Sequence, residues 1–267
     1  MRKHSVIIFS VLAALSYTTW AETLKVGYFD LPPHTFPQHS TQPSAAIAYF
    51  DKVAQAMGVE VEYVNYPLSR LVFLLDHQRL DAALFLAKTD ARIEMFAYPA
   101  SPYFTTESVF VVPNTSDLKS ADDISQKKDL DIVVWEGGFH STTLATSSNK
   151  LIPLSGNNIP ARGITLTVNG RFDAFYSPDR YAVEYEANIS GRAGNIRTIT
   201  IPQDAIDIYT VFSKNSAKYY LKRYERALKK IETEITYEHF LINFTKNLPQ
   251  QSAADSSEKT TTSSVAQ

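Results

Sequence analysis

The stretch RLDAALFLAKTDARIEMFAYPASPY, residues 79–103, predicts a buried strand followed directly by a short helix. The segment LDAALFLA is almost entirely apolar, which is typical of a strand that is covered on both faces of a sheet. Thr89 then predicts a helix N-cap, because its hydroxyl can accept a hydrogen bond from a free backbone N–H. Arg92 follows within this helix. We therefore expect Arg92 just beyond the carboxyl end of the strand, where ligands bind in parallel α/β sheets.

Strands and helices alternate on both sides of this stretch. Before it, the sequence predicts a strand, a helix with an N-cap at Ser44 and a terminator at Gly58, a second strand and a second helix. These segments read LKVGYF (24–29), SAAIAYFDKVAQAMG (44–58), VEVEYVNY (59–66) and LSRLVFLLDHQ (68–78). The order β-α-β-α-β indicates a mainly parallel sheet with helices on both faces.

A second α/β series of comparable size begins after ESVFVVP (107–113). Its predicted elements are a short helix capped by Ser120, the strand DIVVWE (131–136) with a Gly-Gly turn, the helix STTLATSSN (141–149), the strand KLIPLS (150–155), the helix IPARGITLTVNG (159–170) and the strand RFDAFYS (171–177). A strand IYTVFS (208–213) and two helical segments, residues 216–235 and 236–247, complete the pattern. The sequence therefore predicts two α/β units in succession.

The two ends of the chain differ from the rest. Residues 1–21 combine the basic residues Arg2 and Lys3, the short apolar run VIIFSVLAALS and the small-residue segment TWA, which predicts a cleaved secretory signal peptide. The apolar run is too short to span a membrane. Residues 249–267 are polar and predict a disordered tail.

Composition argues against several classes of function. Without Arg2 and Lys3 the chain has 24 basic and 28 acidic side chains, a net charge of −4, and both signs are scattered, so no nucleic-acid partner is expected. It has no cysteine, and its six histidines lack the spacing of a metal motif. We therefore expect no metal and no cofactor. Paired acid–base groups and a nucleophile motif are not evident either, so no catalytic residue is predicted and the protein is not expected to be an enzyme.

Five segments in order resemble the bacterial periplasmic solute-binding proteins of family 3, the amino-acid-type receptors of ABC importers. The resemblance covers residues 24 to about 246. The matching segments are LKVGYFDLPPHTF (24–36), RLDAALFLAKTDARIEMFAYPASPY (79–103), DIVVWEGGFHSTT (131–143), NGRFDAFYSPDRYAVEY (169–185) and YTVFSKNS (209–216).

This resemblance implies a type II periplasmic-binding-protein fold, an α/β fold of two lobes joined by two hinge crossings, with the ligand in the cleft between the lobes. The crossings are expected near residues 103–106 and 207–209. Lobe 1 is then expected to comprise residues 22–104 and 208–248, and lobe 2 residues 105–207.

The resemblance also implies a role. The protein is expected to be a periplasmic monomer that captures a small carboxylate-bearing ligand, foremost an amino acid, for an ABC importer. Two alternatives stay open: a ligand-sensing partner of a membrane receptor, and a small-molecule lyase or dehydratase on the same scaffold.

Arg92 stands where the family places its carboxylate-binding arginine. A guanidinium suits this task because its planar fork can donate two parallel hydrogen bonds to a carboxylate. The alternative is a solvated surface arginine. The sequence departs from the family at two nearby positions: Ala87 and Phe85 replace a frequent small hydroxyl residue and a glycine.

Asp179 is the candidate for binding the ammonium group of an amino acid. The family often has an aspartate one position earlier, where this chain has Pro178. Asp179 can still reach the cleft if the loop shifts, or it can pair with Arg180 at the surface. The sequence leaves both possibilities open.

Six further residues are candidates for ligand contact, each with a structural alternative. Arg70 is a second possible anion contact or a surface charge, and His34 is a stacking partner or an exposed loop residue. Strand alternation sends either Tyr28 or Phe29 toward the cleft. Gly138 is expected to allow close backbone approach with free N–H groups for an anion, whereas the neighbouring Trp135 is expected in the core. The remaining two, Tyr103 and Tyr176, lie at strand ends, where they cover the ligand or fill the core.

Overall fold

The computed structural model describes residues 22–246 and residue 248. The predicted signal peptide, residues 1–21, and the predicted polar tail, residues 249–267, lie outside the described residues. None of the helices in the described part has the length and the apolar character to cross a membrane.

Strands of the described residues form one mixed sheet. They are β1 (Thr23–Tyr28), β2 (Glu60–Asn65), β3 (Ala82–Ala87), β4 (Phe96–Ala97), β5 (Phe104–Pro113), β6 (Asp131–Trp135), β7 (Lys150–Leu154), β8 (Ala174–Ser177) and β9 (Ile196–Ser213). Their order in the sheet is β2-β1-β3-β9-β5-β8-β6-β7, and β4 pairs with β9. The predicted alternation of strands and helices is therefore confirmed.

The helices cover the sheet. They are α1 (Ala45–Met57), α2 (Leu68–Asp76), α3 (Asp90–Met95), α4 (Ala121–Gln126), α5 (Thr142–Ala145), α6 (Ile159–Val168), α7 (Arg180–Ile189), α8 (Ala217–Glu234) and α9 (Tyr237–Lys246). Several of their ends follow from the sequence: Gly58 ends α1 with a φ of 71°, and Ser120 begins α4 in a capping box with Asp123.

The sheet has two parallel ends and an antiparallel middle. In one end, β1 pairs in parallel with β2 and β3; in the other, β6 pairs in parallel with β7 and β8. We refer to the part built on β1–β3, with α1–α3, α8 and α9, as lobe 1, and to the part built on β6–β8, with α4–α7, as lobe 2. A separate cluster of buried side chains, which includes Phe110 and Tyr176, lies in lobe 2.

The long strands β5 and β9 run antiparallel between the two lobes. Their pairing extends from Phe104 opposite Ile208 to Pro113 opposite Ile196, with a register shift between Glu107 and Val109. At its other end β9 pairs with β3 of lobe 1. The lobes are therefore joined through hydrogen-bonded strands, while the residue bounds of each lobe stay a prediction.

The largest differences from the sequence-based prediction concern three elements. The helix expected at residues 141–149 is wrong in length, because α5 has four residues. The strand expected at residues 208–213 is only the last part of β9, which has 18 residues. Helix α7 was not predicted. Pairing with β5 on both sides of the register shift, at residues 196–200 and 205–208, explains the length of β9, while residues 201–204 lie within the shift and have no partner on β5.

Candidate functional site

A cavity lies between the lobes, beyond the carboxyl ends of β1, β3 and β6. Its volume is about 40 Å³. The residues that line it are Phe29, Leu31, Leu68, Phe85, Leu86, Ala87, Arg92, Phe104, Thr106, Trp135, Gly138, Phe139, Ser177, Pro178, Asp179 and Ile208. Most are apolar, and the charged members are Arg92 and Asp179.

Arg92 reaches this cavity from α3. The Thr89 hydroxyl accepts the backbone N–H of Arg92 at 3.3 Å, which is the predicted N-cap. The guanidinium donates from Nη1 to the carbonyl oxygen of Ala87 at 3.1 Å and from Nη2 to that of Gly137 at 2.7 Å. Gly137 belongs to lobe 2, so Arg92 connects the two lobes.

The Arg92 side chain is buried and has no carboxylate partner in the part of the chain that the structure describes. Its exposed fraction is 7%. Burial lowers the pKa of Arg92 from its usual value, although a guanidinium stays charged at any physiological pH. Among the ion pairs of residues 22–246, none involves Arg92. Arg92 is thus a buried cation beside an apolar cavity.

Phe85 forms part of the cavity wall through an unusual backbone conformation. Its φ is 64°, in the left-handed region that glycine prefers, and the pairing of β3 with β9 shifts register between Ala83 and Leu86. The Phe85 ring is buried and lies 4.9 Å from the His34 ring. The departure from the family's frequent glycine therefore places an aromatic side chain at the cavity.

Asp179 is the N-cap of α7 and bonds to His34 across the lobes. Its Oδ2 lies 2.9 Å from His34 Nε2 and accepts the N–H of Ala182 at 3.2 Å. Its Oδ1 accepts the hydroxyl of Thr106 at 2.8 Å and the N–H of Tyr181 at 3.3 Å. Each carboxylate oxygen therefore has two partners.

The charge state of Asp179 follows from these contacts. Burial opposes ionisation, but the nearby His34 ring and the hydrogen bonds from His34, Thr106 and the Ala182 N–H outweigh it and lower the pKa of Asp179 below its usual value. His34 is fully buried, and its Nδ1 lies 2.8 Å from the Tyr237 hydroxyl. A hydrogen-bonded chain thus runs from Tyr237 through His34 to Asp179.

Of the two sequence-based alternatives for Asp179, the structure agrees with a position at the cleft and not with a surface pair with Arg180. Asp179 does reach the cleft, yet its partner there is His34. Arg180 instead pairs at the surface with Glu184 at 2.5 Å and Glu107 at 3.3 Å. His34, expected either to stack on a ligand or to lie exposed in a loop, is behind the cavity wall.

The structure separates the other candidates. Phe29, rather than Tyr28, lines the cavity, and its ring lies 5.4 Å from that of Trp135 in lobe 2. Gly138 also lines it, and a Cβ there would lie 2.7 Å from the Trp135 Cβ, so only glycine fits. The Gly138 N–H, however, donates to the Trp135 carbonyl at 3.1 Å. It is therefore already paired within the turn.

Besides His34, three candidates lie outside the cavity lining. Arg70 is exposed, with its guanidinium carbon 5.4 Å from the centre of the Tyr66 ring. Tyr103 is buried in lobe 1 and donates to the Ala46 carbonyl at 3.1 Å. Tyr176 is buried in lobe 2, where its hydroxyl contacts that of Ser108.

The sequence analysis did not identify several lining residues. Phe104 and Thr106 follow the predicted crossing near Tyr103, and strand alternation places residues two apart on one face, so this pair could have been found. Trp135, expected in the core, lines the cavity as well. Phe139 offered no such signal, because no regular element determines its direction.

A smaller groove adjoins the cavity. The groove and the cavity share three lining residues, Phe29, Leu68 and Trp135. The other residues that line the groove are Asp30, Pro67, Ser69, Glu136, Leu154, Ser155, Gly156, Asn157 and Ile159. Asp30 is buried; its Oδ1 accepts from Asn65 Nδ2 at 2.9 Å, while its Oδ2 has no partner among the described residues. Burial raises the pKa of Asp30, and the Asn65 hydrogen bond opposes this rise.

The fold and the cleft define a two-lobed ligand-binding protein. Residues 24–246 match the model of the bacterial extracellular solute-binding proteins, family 3, and the chain belongs to this family. The comparison with curated proteins gave no match.

Solved structures agree on the fold. The glutamate-bound GluR0 ligand-binding core from Nostoc punctiforme is 17% identical, with a TM-score of 0.70 over 83% of this chain and 98% of that one. ArtJ, an arginine-, lysine- and histidine-binding protein from Geobacillus stearothermophilus, is 21% identical, with a TM-score of 0.66 over 86% and 97%. A histidine kinase sensor domain is 17% identical, with a TM-score of 0.71 over 86% and 99%. The predicted type II periplasmic-binding-protein fold is confirmed.

Proposed function

We propose that this protein is a periplasmic solute-binding protein that captures a small carboxylate-bearing ligand and delivers it to an ABC importer. The observation that carries the proposal is the buried guanidinium of Arg92, which faces the inter-lobe cavity without a carboxylate partner in residues 22–246.

A buried cation without a counterion is costly, because it has lost its hydration. Two carbonyl oxygens replace part of that hydration for Arg92. A guanidinium has five N–H donors, so further donors are available to a ligand. A carboxylate is the complementary group, since it accepts two parallel charge-assisted hydrogen bonds.

Capture requires that the lobes separate. A cavity of about 40 Å³ has room for about three water molecules, less than any amino acid occupies. The connection through β5 and β9 supports hinge motion, because the two strands cross together at one side of the cleft.

The polar groups of the cavity support binding rather than catalysis. A general acid or base needs a free lone pair or a mobile proton at the reacting atom. Asp179 has two partners on each oxygen, and two of these are backbone N–H groups of α7. This arrangement suits a structural role for Asp179.

Delivery to an importer is supported by one related structure. The substrate-binding protein of an amino acid ABC transporter is 20% identical, with a TM-score of 0.69 over 84% of this chain and 99% of that one. A strain that lacks the gene should lose high-affinity uptake of the labelled ligand. If uptake is unchanged while a ligand-dependent transcriptional response disappears, the protein serves a membrane sensor instead.

Calorimetric titration of residues 22–267 tests the role of Arg92. Arg92→Ala should weaken binding of the best carboxylate by about 30-fold or more, because truncating one partner of a desolvated charge pair typically costs about 2–5 kcal/mol. Arg92→Lys should restore only part of this loss, since an ammonium lacks the planar fork. The matched control is Arg70→Ala, which removes an exposed arginine and should bind like the wild type. Equal affinity of Arg92→Ala and wild type would exclude the proposed site.

A further inference from the structure

We infer that the ligand of this cavity is a monocarboxylate with an apolar body and no ammonium group beside its carboxylate. The inference rests on the proposed function, because it assumes that Arg92 holds the carboxylate. It goes further by excluding α-amino acids as the preferred ligands.

The cavity wall fits an apolar body. Apart from Arg92, the lining consists mainly of aromatic and aliphatic side chains contributed by both lobes, such as Phe29, Phe85 and Trp135. Burying apolar ligand surface against such walls is favourable, and a polar body would lose its hydration there without gaining partners.

An ammonium group at this position would find no acceptor on Asp179. A carboxylate offers about four acceptor sites. All four are occupied in Asp179. Two are taken by the side chains of Thr106 (2.8 Å) and His34 (2.9 Å), and two by the backbone N–H groups of Tyr181 (3.3 Å) and Ala182 (3.2 Å). The acid next to the family's amine-binding position is therefore used to hold His34 and to cap α7.

The carbonyl oxygens around Arg92 have donors as well. The Ala87 oxygen accepts from both Arg92 Nη1 and the Tyr98 hydroxyl, each at 3.1 Å. The Gly137 oxygen accepts from Arg92 Nη2. The Ser177 hydroxyl donates to the Asp179 carbonyl at 3.0 Å. An ammonium next to the ligand carboxylate would thus have to displace a donor from the Ala87 oxygen, or use the second lone pair of the Gly137 oxygen beside the like-charged Arg92 guanidinium.

Besides Glu136, which is exposed and lines the groove, Asp30 is the remaining acid near the cleft, and its Oδ2 has no partner among the described residues. It lines the adjoining groove rather than the cavity around Arg92. An α-ammonium lies directly beside its carboxylate and would stay in the cavity. Asp30 can therefore bind only an amine at the far end of a longer ligand. The experiment below includes such a ligand, ε-aminocaproate.

Titration of the wild-type protein with matched compounds tests the inference. The probes are phenylpropionate, L-phenylalanine and phenylpropionamide, and caproate, L-norleucine and ε-aminocaproate. We expect each carboxylate to bind at least about 100-fold more tightly than its α-amino analogue, since the charged ammonium would be desolvated without a partner. Phenylpropionamide should bind weakly because it lacks the negative charge.

The outcomes separate this inference from the proposed function. If L-phenylalanine or L-norleucine binds as tightly as its matched carboxylate and the binding depends on Arg92, the inference is wrong and the proposed function stands. Tighter binding of ε-aminocaproate than of caproate also overturns the inference, and its loss in Asp30→Asn would locate the amine in the groove. If no probe binds, or if Arg92→Ala binds the carboxylates normally, the proposed function fails together with the inference.

A variant of His34 provides the converse experiment. His34→Leu removes one of the two donors to Asp179 Oδ2 and leaves an acceptor site of that oxygen unoccupied. The ratio of affinities for L-phenylalanine and phenylpropionate should shift by about 10-fold or more toward the amino acid. An unchanged ratio in a folded variant contradicts the role assigned to Asp179. If the variant does not fold, the wild-type titration still decides.

Discussion

Phe85 combines a left-handed backbone with a buried aromatic ring, and the two properties have opposite effects on stability. Phe85→Gly and Phe85→Ala both lose the ring, which costs about 3–5 kcal/mol. Only glycine adopts the φ of 64° without strain, so Phe85→Gly should be about 1 kcal/mol more stable than Phe85→Ala. Urea denaturation measures both free energies of unfolding.

The neighbouring Leu84 is a matched control for Phe85. It is buried in the same strand and is not among the residues with positive φ. Here the ordinary order should hold, with the glycine variant about 0.5–1 kcal/mol less stable than the alanine variant. The same order at both positions would contradict the left-handed conformation of Phe85.

Glu186 makes the stability of lobe 2 depend on pH. Burial on α7 raises its pKa from 4.5 to about 7. The folded state therefore binds a proton more tightly than the unfolded state, so this contribution to stability is full below pH 4.5 and is lost as the pH rises to about 7. Above that pH, Glu186→Gln should be more stable than the wild type by up to about 3 kcal/mol.

Denaturation of wild type and Glu186→Gln between pH 4 and pH 9 would reveal this difference. The difference between the two proteins should be small at the acid end and grow through the stated window. Glu234→Gln, at an exposed position of α8, should show no such trend. A difference that does not change with pH would show that Glu186 does not titrate in this range.

Single residues also show the limits of sequence analysis. The Thr89 cap was predicted because the cap and its helix belong to one local segment whose spacing is visible in the sequence, whereas the binding role of Arg92 was inferred from the resemblance to the family and stays a prediction. The contact between His34 and Asp179 joins residues 145 positions apart, and no local pattern reports it. Arg92 likewise donates to Gly137, 45 positions away. Local chemistry was therefore predictable, whereas the partners across the cleft were not.

At the scale of elements, the N-cap residue of α7, Asp179, also connects lobe 2 to His34 in lobe 1. Asp179→Ala would remove the cap of α7 and leave His34 and Thr106 without their shared partner. A buried polar group that loses its hydrogen-bond partner typically costs about 1–3 kcal/mol, and this substitution leaves two such groups in addition to the lost cap. Ser120→Ala, which removes the cap of α4 alone, should cost only about 1 kcal/mol. If urea denaturation shows that the two variants lose the same free energy of unfolding, the contact with His34 adds nothing to stability.

The elements that the sequence predicted least well depend on contacts far along the chain. Helix α1 has both an amphipathic pattern and a terminating glycine, and its bounds were predicted closely. Strand β9 is instead extended by its ladder with β5, and α5 stops after one turn. Patterns within a segment therefore predicted an element's type, while neighbouring strands set its length.

At the scale of the whole molecule, hinge motion predicts that the distance between the lobes takes two values, a longer one in the open state and a shorter one in the closed state. The sequence contains no cysteine, so spin labels can be attached at introduced cysteines alone. Gln55 on α1 and Lys127 after α4 are exposed positions in lobes 1 and 2. Pulsed electron–electron double resonance should show a broad distribution of distances between these two labels. When a ligand is added, the distribution should narrow to its short-distance component.

Two labels within lobe 1, at Gln55 and Lys218, form the control pair for this experiment. Their distance should not change with ligand, because α1 and α8 pack in the same lobe. If the pair across the lobes is equally insensitive to a ligand that binds through Arg92, the lobes do not move and ligand must enter by another route.

The contact between Arg92 and the Gly137 carbonyl has a kinetic consequence. Because the cavity of about 40 Å³ is too small for a ligand, this contact has to break as the lobes open, so the observed association rate should level off at high ligand concentration. The plateau would equal the rate of domain opening, for which microseconds to milliseconds are typical. Trp135 is the only tryptophan in residues 22–267 and lines the cavity, so its fluorescence can report the step. Ligands of different affinity should then share one plateau and differ in residence time.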